Sequence, residues 1–168
     1  MADIHIRPAV HDDAAGIAEI YNQGIADRSA TFETTLRTAD DIRQWIDDPR
    51  FPTIVAVDAR SRVIGWAAMS AYRARACYAG IGECSVYLDR DSRGRGTGRK
   101  LLTALVDTAR ERGFWKLLSR VFTFNAASRA VCRTCGFREV GVYEKHGRLD
   151  GQWLDVVIVE RLIPENLT

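Results

Sequence analysis

Residues 83–100 read ECSVYLDRDSRGRGTGRK, and the run LLTALVDTARER follows at residues 101–112. The Val-Tyr pair at 86–87 favours a strand at the start of this stretch. In the second run, apolar residues recur at three- and four-residue spacing, which predicts a helix. Gly113 is expected to end that helix. The stretch therefore predicts a strand, a glycine-rich turn and a helix.

The turn carries glycines at positions 94, 96 and 98 among cationic side chains. Glycine adopts positive φ readily, so such a turn can direct backbone N–H groups inward at the positive end of the next helix. This arrangement predicts a phosphate-binding site. The spacing excludes the P-loop G-x-x-x-x-G-K-[ST] and the dinucleotide fingerprint G-x-G-x-x-G, and leaves Arg93-x-x-Gly96-x-Gly98. A basic surface turn is the alternative interpretation.

The composition fits one domain, expected to span residues 1–168. A hydrophobic content of 46% is enough for a core without disulfide or metal staples. With 24 Lys and Arg against 22 Asp and Glu, the net charge is +2. This near balance argues against a protein that binds nucleic acid through bulk charge, so no nucleic-acid partner is expected.

The cysteines and the hydropathy indicate the compartment. Four cysteines without a signal peptide favour a reducing, cytoplasmic location over a disulfide framework. The C-x-x-C spacing of Cys132 and Cys135 lacks a second ligand pair, so a structural role is favoured over a redox or zinc site, and no metal is expected. No apolar run reaches about 18 residues, so no membrane partner is expected.

Periodicity and chain breakers place the remaining elements. The pattern predicts strands at 4–8, 53–58, 63–70, 115–122, 139–144 and 153–162. It also predicts a helix that starts at 11–13, a second helix near 39–47 and a third over 125–135. The dipeptide Asp150-Gly151 is a hairpin signal between the last two strands.

This order of elements resembles the GCN5-related N-acetyltransferases, the GNAT family, over nearly the whole chain. Within that family the chain resembles the phosphinothricin and methionine sulfoximine acetyltransferase group. The segments that carry the resemblance are Tyr21-Asn22, Thr31-Phe32-Glu33, Tyr72-Arg73-Ala74-Arg75, Glu83-x-Ser85-Val86-Tyr87, Arg93 to Gly98, Asn125 to Ser128 and Trp153-Leu154-Asp155.

The resemblance implies an α/β fold. Its central sheet is expected to be mixed, mostly antiparallel, splayed at the central strands and flanked by helices. The implied activity is transfer of the acetyl group of acetyl-CoA to the α-amine of a small amino acid or toxic analogue of the phosphinothricin, methionine sulfoximine or arsinothricin type. Relatives also imply a homodimer.

The resemblance further implies the cofactor contacts. The backbone of Val86, Tyr87 and Leu88 would pair with the pantetheine arm, in a slot opened where the central strand parts from the strand at 115–122. The remaining cofactor-binding residues would be Arg93, Gly94, Arg95, Gly96, Thr97, Gly98, Arg99, Asn125 and Ser128.

Acetyl transfer requires a neutral amine, and Glu83 is the candidate base, acting directly or through water. Deprotonation at neutral pH costs about 1 kcal/mol for an α-amine of pKa about 7.7–8.0, and about 4.6 kcal/mol for a lysine amine. An α-amine therefore needs less assistance from a catalytic base than a lysine amine does. The alternative role for Glu83 is a buried salt-bridge partner of a nearby arginine.

Arg73 and Arg75 are the candidate grip on the acceptor's anionic group, because residues two apart in an extended segment face the same way. A solvated basic loop is the alternative. Phe32 and Tyr72 would wall the substrate pocket, with core packing as the alternative. His146 is a further candidate contact, with a surface-loop position as the alternative.

Two departures from the family pattern affect these assignments. Cys132 stands where many relatives use a tyrosine as general acid, so the acid stays unassigned. By the same resemblance, residues 149–152 lengthen a family loop that would lie near the substrate. Other acceptors (a polyamine, an aminoglycoside or a protein N-terminus) and a non-catalytic CoA sensor remain alternative functions.

Overall fold

The computed structural model describes residues 4–168 and contains one seven-stranded sheet. The strands, in chain order, are β1 (His5–Pro8), β2 (Thr53–Val57), β3 (Val63–Ala71), β4 (Ile81–Leu88), β5 (Lys116–Phe122), β6 (Arg138–Leu149) and β7 (Gln152–Leu162). Their order across the sheet is β1-β2-β3-β4-β5-β7-β6.

Four α-helices flank the sheet. They are α1 (Ala14–Asp27), α2 (Ala39–Ile46), α3 (Thr97–Glu111) and α4 (Ala126–Thr134). The side chain of Thr38 accepts a bond from the N–H of Asp41 and caps α2. The α3 helix begins earlier than its apolar periodicity predicts, because Gly96 in the left-handed conformation starts it directly after the turn. None of the helices described between residues 4 and 168 is long and apolar enough to span a membrane.

The sheet confirms the predicted fold class. Every neighbouring pair of strands is antiparallel except β4 and β5, which run parallel. These two strands pair only from Ile81 to Glu83 on β4 and from Lys116 to Leu118 on β5. Beyond Glu83 they separate, so the sheet is splayed at its centre.

The two faces of the sheet carry different cores. The α3 helix supplies Leu101 and Leu105 to the larger core, which also contains Leu117 and Val121 of β5. The α1 and α2 helices pack against the other face through a second core that includes Ile17 and Ile42. The alternate β5 residues Leu118 and Phe122 belong to a third core, so alternate residues of β5 face opposite sides of the sheet.

The hairpin formed by β6 and β7 corrects one prediction. Asp150 and Gly151 form its two-residue turn, both with positive φ, as the dipeptide predicts. The expected long loop before this turn is wrong, because β6 continues to Leu149 and pairs with β7 up to Gln152. The extra residues form a bulge between Tyr143 and Gly147 instead.

Candidate active site

A cavity of about 480 Å³ opens where β4 and β5 separate. The turn before α3, the start of α4 and the segment after α1 complete its walls. Its lining residues are Gly24, Ser29, Ala30, Cys84, Ser85, Val86, Tyr87, Leu88, Arg93, Gly94, Gly96, Gly98, Arg99, Leu102, Ser119, Arg120, Val121, Asn125, Ala127, Ser128, Val131 and Cys132.

The glycine turn forms one end of this cavity. Gly96 has a φ of +80° and precedes the first residue of α3, whose first-turn N–H groups lack partners within the helix. Arg93 and Arg99 line the same end. Backbone donors, a helix N-terminus and two guanidinium groups together suit an anion such as a diphosphate.

Arg93 is held in place by α1. Its Nη2 atom donates to Asp27 Oδ2 at 3.1 Å, and its Nε atom donates to the carbonyl oxygen of Leu88 at 3.4 Å. Asp27 is also bonded by Arg90, and the two arginines, Arg90 first, hold the pKa of that carboxyl below its usual value. The carboxylate therefore stays ionised and anchors the guanidinium beside the cavity.

Two predicted cofactor residues do not line the cavity. Arg95 is exposed beside it, and the Thr97 side chain is only 1% exposed. The Thr97 hydroxyl has no hydrogen-bond partner within the described part of the chain. Any contact of these two residues with the cofactor stays a prediction.

The second wall is the unpaired edge of β4. Val86, Tyr87 and Leu88 bond to β3 on one side, but face the gap rather than β5 on the other. An extended backbone edge of this kind can pair with amide groups of a ligand, and the pantetheine arm of CoA carries such amides. The structure thus contains the gap between the two strands, and binding of the pantetheine arm along it stays a prediction.

Asn125 organises the α4 end of the cavity. Its Oδ1 atom accepts from the N–H of Ser128 at 3.1 Å and so caps α4. Its Nδ2 atom donates to the carbonyl oxygen of Ser29 at 3.1 Å. Both predicted residues, Asn125 and Ser128, therefore lie on the cavity wall.

Glu83 lies at the point where the two central strands part, because it forms the last β4 pair with Leu118 of β5. Its Oε1 atom accepts from Arg120 Nε at 3.0 Å and also from Nη2. Glu83 thus forms a salt bridge with Arg120, as its alternative role predicts. The role of base stays a prediction.

The predicted acceptor residues lie outside the cavity lining. Phe32 packs edge-to-face on Phe122, with 4.9 Å between ring centroids, and touches the core beneath β7. His146 is exposed in the β6 bulge, with its ring 4.9 Å from that of Tyr143. Phe32 thus makes core contacts and His146 lies on the surface, and a contact of either residue with the acceptor stays a prediction.

The segment between β3 and β4 differs from the extended geometry expected of it. Residues 72–80 form bends and a short 3₁₀ helix, so Arg73 and Arg75 do not stand two apart on a regular strand. That premise is wrong. The Arg73 guanidinium lies 5.2 Å from the ring centroid of Tyr72, which packs against Tyr78, and both arginines are exposed.

Two cysteines line the middle of the cavity. Burial raises the pKa of the Cys132 thiol to about 11 and that of the Cys84 thiol far above its usual range. Both therefore stay protonated near pH 7. The C-x-x-C pair has no matching ligands, since no group of three or more His, Cys, Asp or Glu side chains within residues 4–168 could hold a metal ion.

Several residues of the cavity lining were not predicted from the sequence, and Arg120 is the charged one among them. Its position becomes visible only when β4 and β5 are aligned, because a contact across 37 residues leaves no local pattern. Ala127 and Val131 could have been found, since they stand four apart on one side of α4 near Ser128.

Comparisons with known proteins agree with this geometry. The family described as "Acetyltransferase (GNAT) domain" matches residues 6–158. A phosphinothricin N-acetyltransferase of Streptomyces coelicolor is 32% identical and covers 95% of this chain and 96% of its own length. An L-methionine sulfoximine/L-methionine sulfone acetyltransferase of Pseudomonas aeruginosa is 33% identical, covering 92% of each chain.

A solved structure extends the likeness to the cofactor. A phosphinothricin acetyltransferase of Sinorhizobium meliloti in complex with acetyl-CoA superposes with a TM-score of 0.89 at 32% identity, covering 95% of this chain and 88% of that one. The chain belongs to the GNAT family of acetyltransferases. It is an acetyl-CoA-dependent N-acetyltransferase, and acetyl-CoA is its cosubstrate.

Proposed function

We propose that this chain, acting as a single domain, transfers the acetyl group of acetyl-CoA to the α-amine of a small amino acid or amino-acid analogue. Phosphinothricin, methionine sulfoximine and arsinothricin define the class of acceptor. The names of the two relatives at about one-third identity support this class. For a toxic analogue, N-acetylation would be a detoxification and would confer resistance.

The position of Glu83 carries the proposal. It stands at the closed end of the gap between β4 and β5, while the anion-binding turn stands at the other end of the β4 edge. A cofactor held by its diphosphate at the turn, and extended along β4, would bring its thioester toward Glu83. A carboxylate at that point is suited to receive the proton of an incoming ammonium group.

Bound acetyl-CoA supplies an acetyl group activated as a thioester. Glu83 would take the proton from the acceptor's ammonium, directly or through water, and so free the nitrogen lone pair to attack the acetyl carbonyl. As the C–N bond forms, the thioester C–S bond would break. The nitrogen would lose its second proton, and coenzyme A would leave as its thiol after its sulfur takes up a proton from water or from an acid that stays unassigned. A backbone N–H on the unpaired β4 edge between Glu83 and Leu88 would donate to the carbonyl oxygen as negative charge develops on it, a contribution often worth about 3–4 kcal/mol. The gap in the sheet holds the two reactants in line.

An acceptor screen tests the proposal. Release of CoA thiol is followed with phosphinothricin, methionine sulfoximine, an arsenical analogue, the common amino acids, polyamines, an aminoglycoside and a peptide N-terminus. We expect turnover with amino-acid acceptors and little with polyamines, because the Arg120 guanidinium beside Glu83 disfavours a second positive charge on the acceptor. Turnover of polyamines without any amino acid would contradict the proposal, and binding of acetyl-CoA with no turnover would favour a CoA sensor.

The proposal includes a homodimer. The β6 strand is an edge of the sheet and exposes Val140, Val142 and Tyr143, each about half accessible. An exposed apolar edge strand favours association with another chain. Light scattering during gel filtration should give twice the mass of the chain, and a monomer at micromolar concentration would contradict this.

The proposal also includes a cytoplasmic location. The four free cysteines support a reducing compartment of this kind.

A further inference from the structure

The ion pair between Glu83 and Arg120 uses only part of each group. Both contacts converge on Glu83 Oε1, from Arg120 Nε and Nη2. Within residues 4–168, neither Glu83 Oε2 nor Arg120 Nη1 makes a hydrogen bond to another residue. One carboxylate oxygen and the outer edge of one guanidinium therefore remain available to a ligand.

The location of Arg120 gives that outer edge access to the reacting centre. Arg120 follows Leu118, the β5 partner of Glu83, by two residues and so lies on the same face of the strand. Its side chain is 46% exposed, against 20% for Glu83, and it lines the cavity wall. The guanidinium thus stands on the solvent side of the predicted base.

A guanidinium can serve two carboxylates at once. Its N–H donors form two edges, one made by Nε and Nη2 and the other by Nη1 and Nη2, and each edge suits a planar carboxylate. Glu83 occupies the first edge. An α-amino acid carries its ammonium and carboxylate on one carbon, so its two charges fit a carboxylate oxygen and a guanidinium edge that are direct neighbours.

We propose that Arg120 binds the α-carboxylate of the acceptor with its Nη1–Nη2 edge while its other edge holds Glu83. This inference rests on the proposed function and names the residue that selects α-amino acids over plain amines. With the carboxylate on Arg120, the α-amine lies beside Glu83 Oε2, where its proton can be transferred. Arg73 and Arg75 would then remain for an anionic group on the acceptor's side chain.

A purely structural ion pair would behave differently. Pairs as exposed as this one contribute little to stability, so a structural role predicts a small change in unfolding and no dependence on the acceptor's carboxylate. A role limited to orienting Glu83 predicts equal losses for every acceptor. Only carboxylate binding predicts a loss that depends on whether the acceptor carries that group.

The test compares methionine sulfoximine with its α-carboxamide at saturating acetyl-CoA. We expect the wild-type kcat/KM to be about 10- to 100-fold higher for the acid, since a charge-assisted pair is replaced by neutral contacts. In Arg120→Gln the ratio of acid to amide should fall to about one, and Arg120→Lys should give an intermediate ratio because it keeps the charge without the fork. Arg60→Gln, an exposed arginine in the turn between β2 and β3, is the matched control and should keep the wild-type ratio.

Each outcome decides between the roles. If Arg120→Gln lowers both rates and keeps the ratio, or if the wild type shows no preference for the acid, carboxylate binding is overturned. If the wild type acetylates no α-amino acid at all, the proposed function fails first. Calorimetric titration with acetyl-CoA and the thermal midpoint of unfolding establish that Arg120→Gln and Arg120→Lys are folded and loaded.

Discussion

Asn125 donates its Nδ2 hydrogen bond to the carbonyl oxygen of Ser29 at 3.1 Å, although the two residues stand 96 positions apart in the chain. The same side chain caps α4 through the N–H of Ser128. Ser29 follows α1, so one amide connects two separate elements that both line the cavity. The shape of this wall therefore depends on a single polar side chain.

Substitutions at Asn125 should separate the effect of the α4 cap from the effect of the hydrogen bond to Ser29. Asn125→Ala loses both and should lower the free energy of unfolding by about 2 kcal/mol. Asn125→Ser keeps a capping oxygen but is too short to reach Ser29, so it should recover about half of that loss while the KM for acetyl-CoA stays raised. Urea unfolding and initial rates measure the two quantities. A serine variant with a wild-type KM would show that the bond to Ser29 does not shape the site.

Gly96 and Gly113 offer a matched pair on either side of α3. Their φ angles are +80° and +81°, and at neither position would a Cβ atom meet another heavy atom within 4 Å. Alanine at either site should therefore cost about 1–2 kcal/mol of stability through backbone strain alone. Only Gly96→Ala should raise the KM for acetyl-CoA, because only Gly96 lines the cavity. Equal KM changes in the two variants would place the diphosphate elsewhere.

The cysteines should differ sharply in reactivity toward Ellman's reagent. Cys77 is exposed, whereas Cys84, Cys132 and Cys135 are buried. Because the thiolate is the reactive form and burial raises the pKa of Cys132 to about 11, we expect one fast thiol per folded chain at pH values near 8. Cys77→Ser should abolish the fast phase. Any fast thiol that remains in Cys77→Ser would contradict the burial of the cavity cysteines.

Glu160 should contribute to stability above pH 4.5. Hydrogen bonds from Lys116 and then Arg138 hold the pKa of its carboxyl below the ordinary value of 4.5, and its side chain is 11% exposed. A lowered folded-state pKa means that the stabilisation is complete above the unfolded pKa and is lost as pH falls through the folded one. Glu160→Gln should cost about 2 kcal/mol near pH 7 and less below pH 4. The control, exposed Glu111→Gln, should change little.

Local patterns in the sequence were enough to predict the centre of the fold. The glycine turn, the periodicity of α3 and the cap at Asn125 each involve residues close together in the chain, and all three are present in the structure. The extension of β6 was missed for a physical reason. Lys145 adopts a φ of +47° in the bulge and donates its N–H to Asp155 Oδ1, which interrupts the alternation of the strand without ending it.

In the candidate site too, local patterns predicted some features, and contacts between distant parts of the chain were missed. The glycine spacing predicted the turn before α3, and the family resemblance implied the contacts on β4. Both the turn and β4 lie on the cavity wall, although Arg95 and Thr97 do not line it. Arg120 could not, because its contact with Glu83 depends on the parallel register of β4 and β5. The loop arginines were placed on an extended segment that the structure replaces with bends, since no periodic pattern constrains residues 72–80.

The rate of Glu83→Gln with methionine sulfoximine tests the central claim most directly. Glutamine keeps the size of the side chain and can still accept a bond from Arg120, but it cannot take the proton of the acceptor. We predict that kcat falls by about 100-fold or more, in the range of general-base catalysis, while the KM for acetyl-CoA changes little. A kcat within a few-fold of the wild type would contradict the assignment of Glu83 as the base at the gap between β4 and β5.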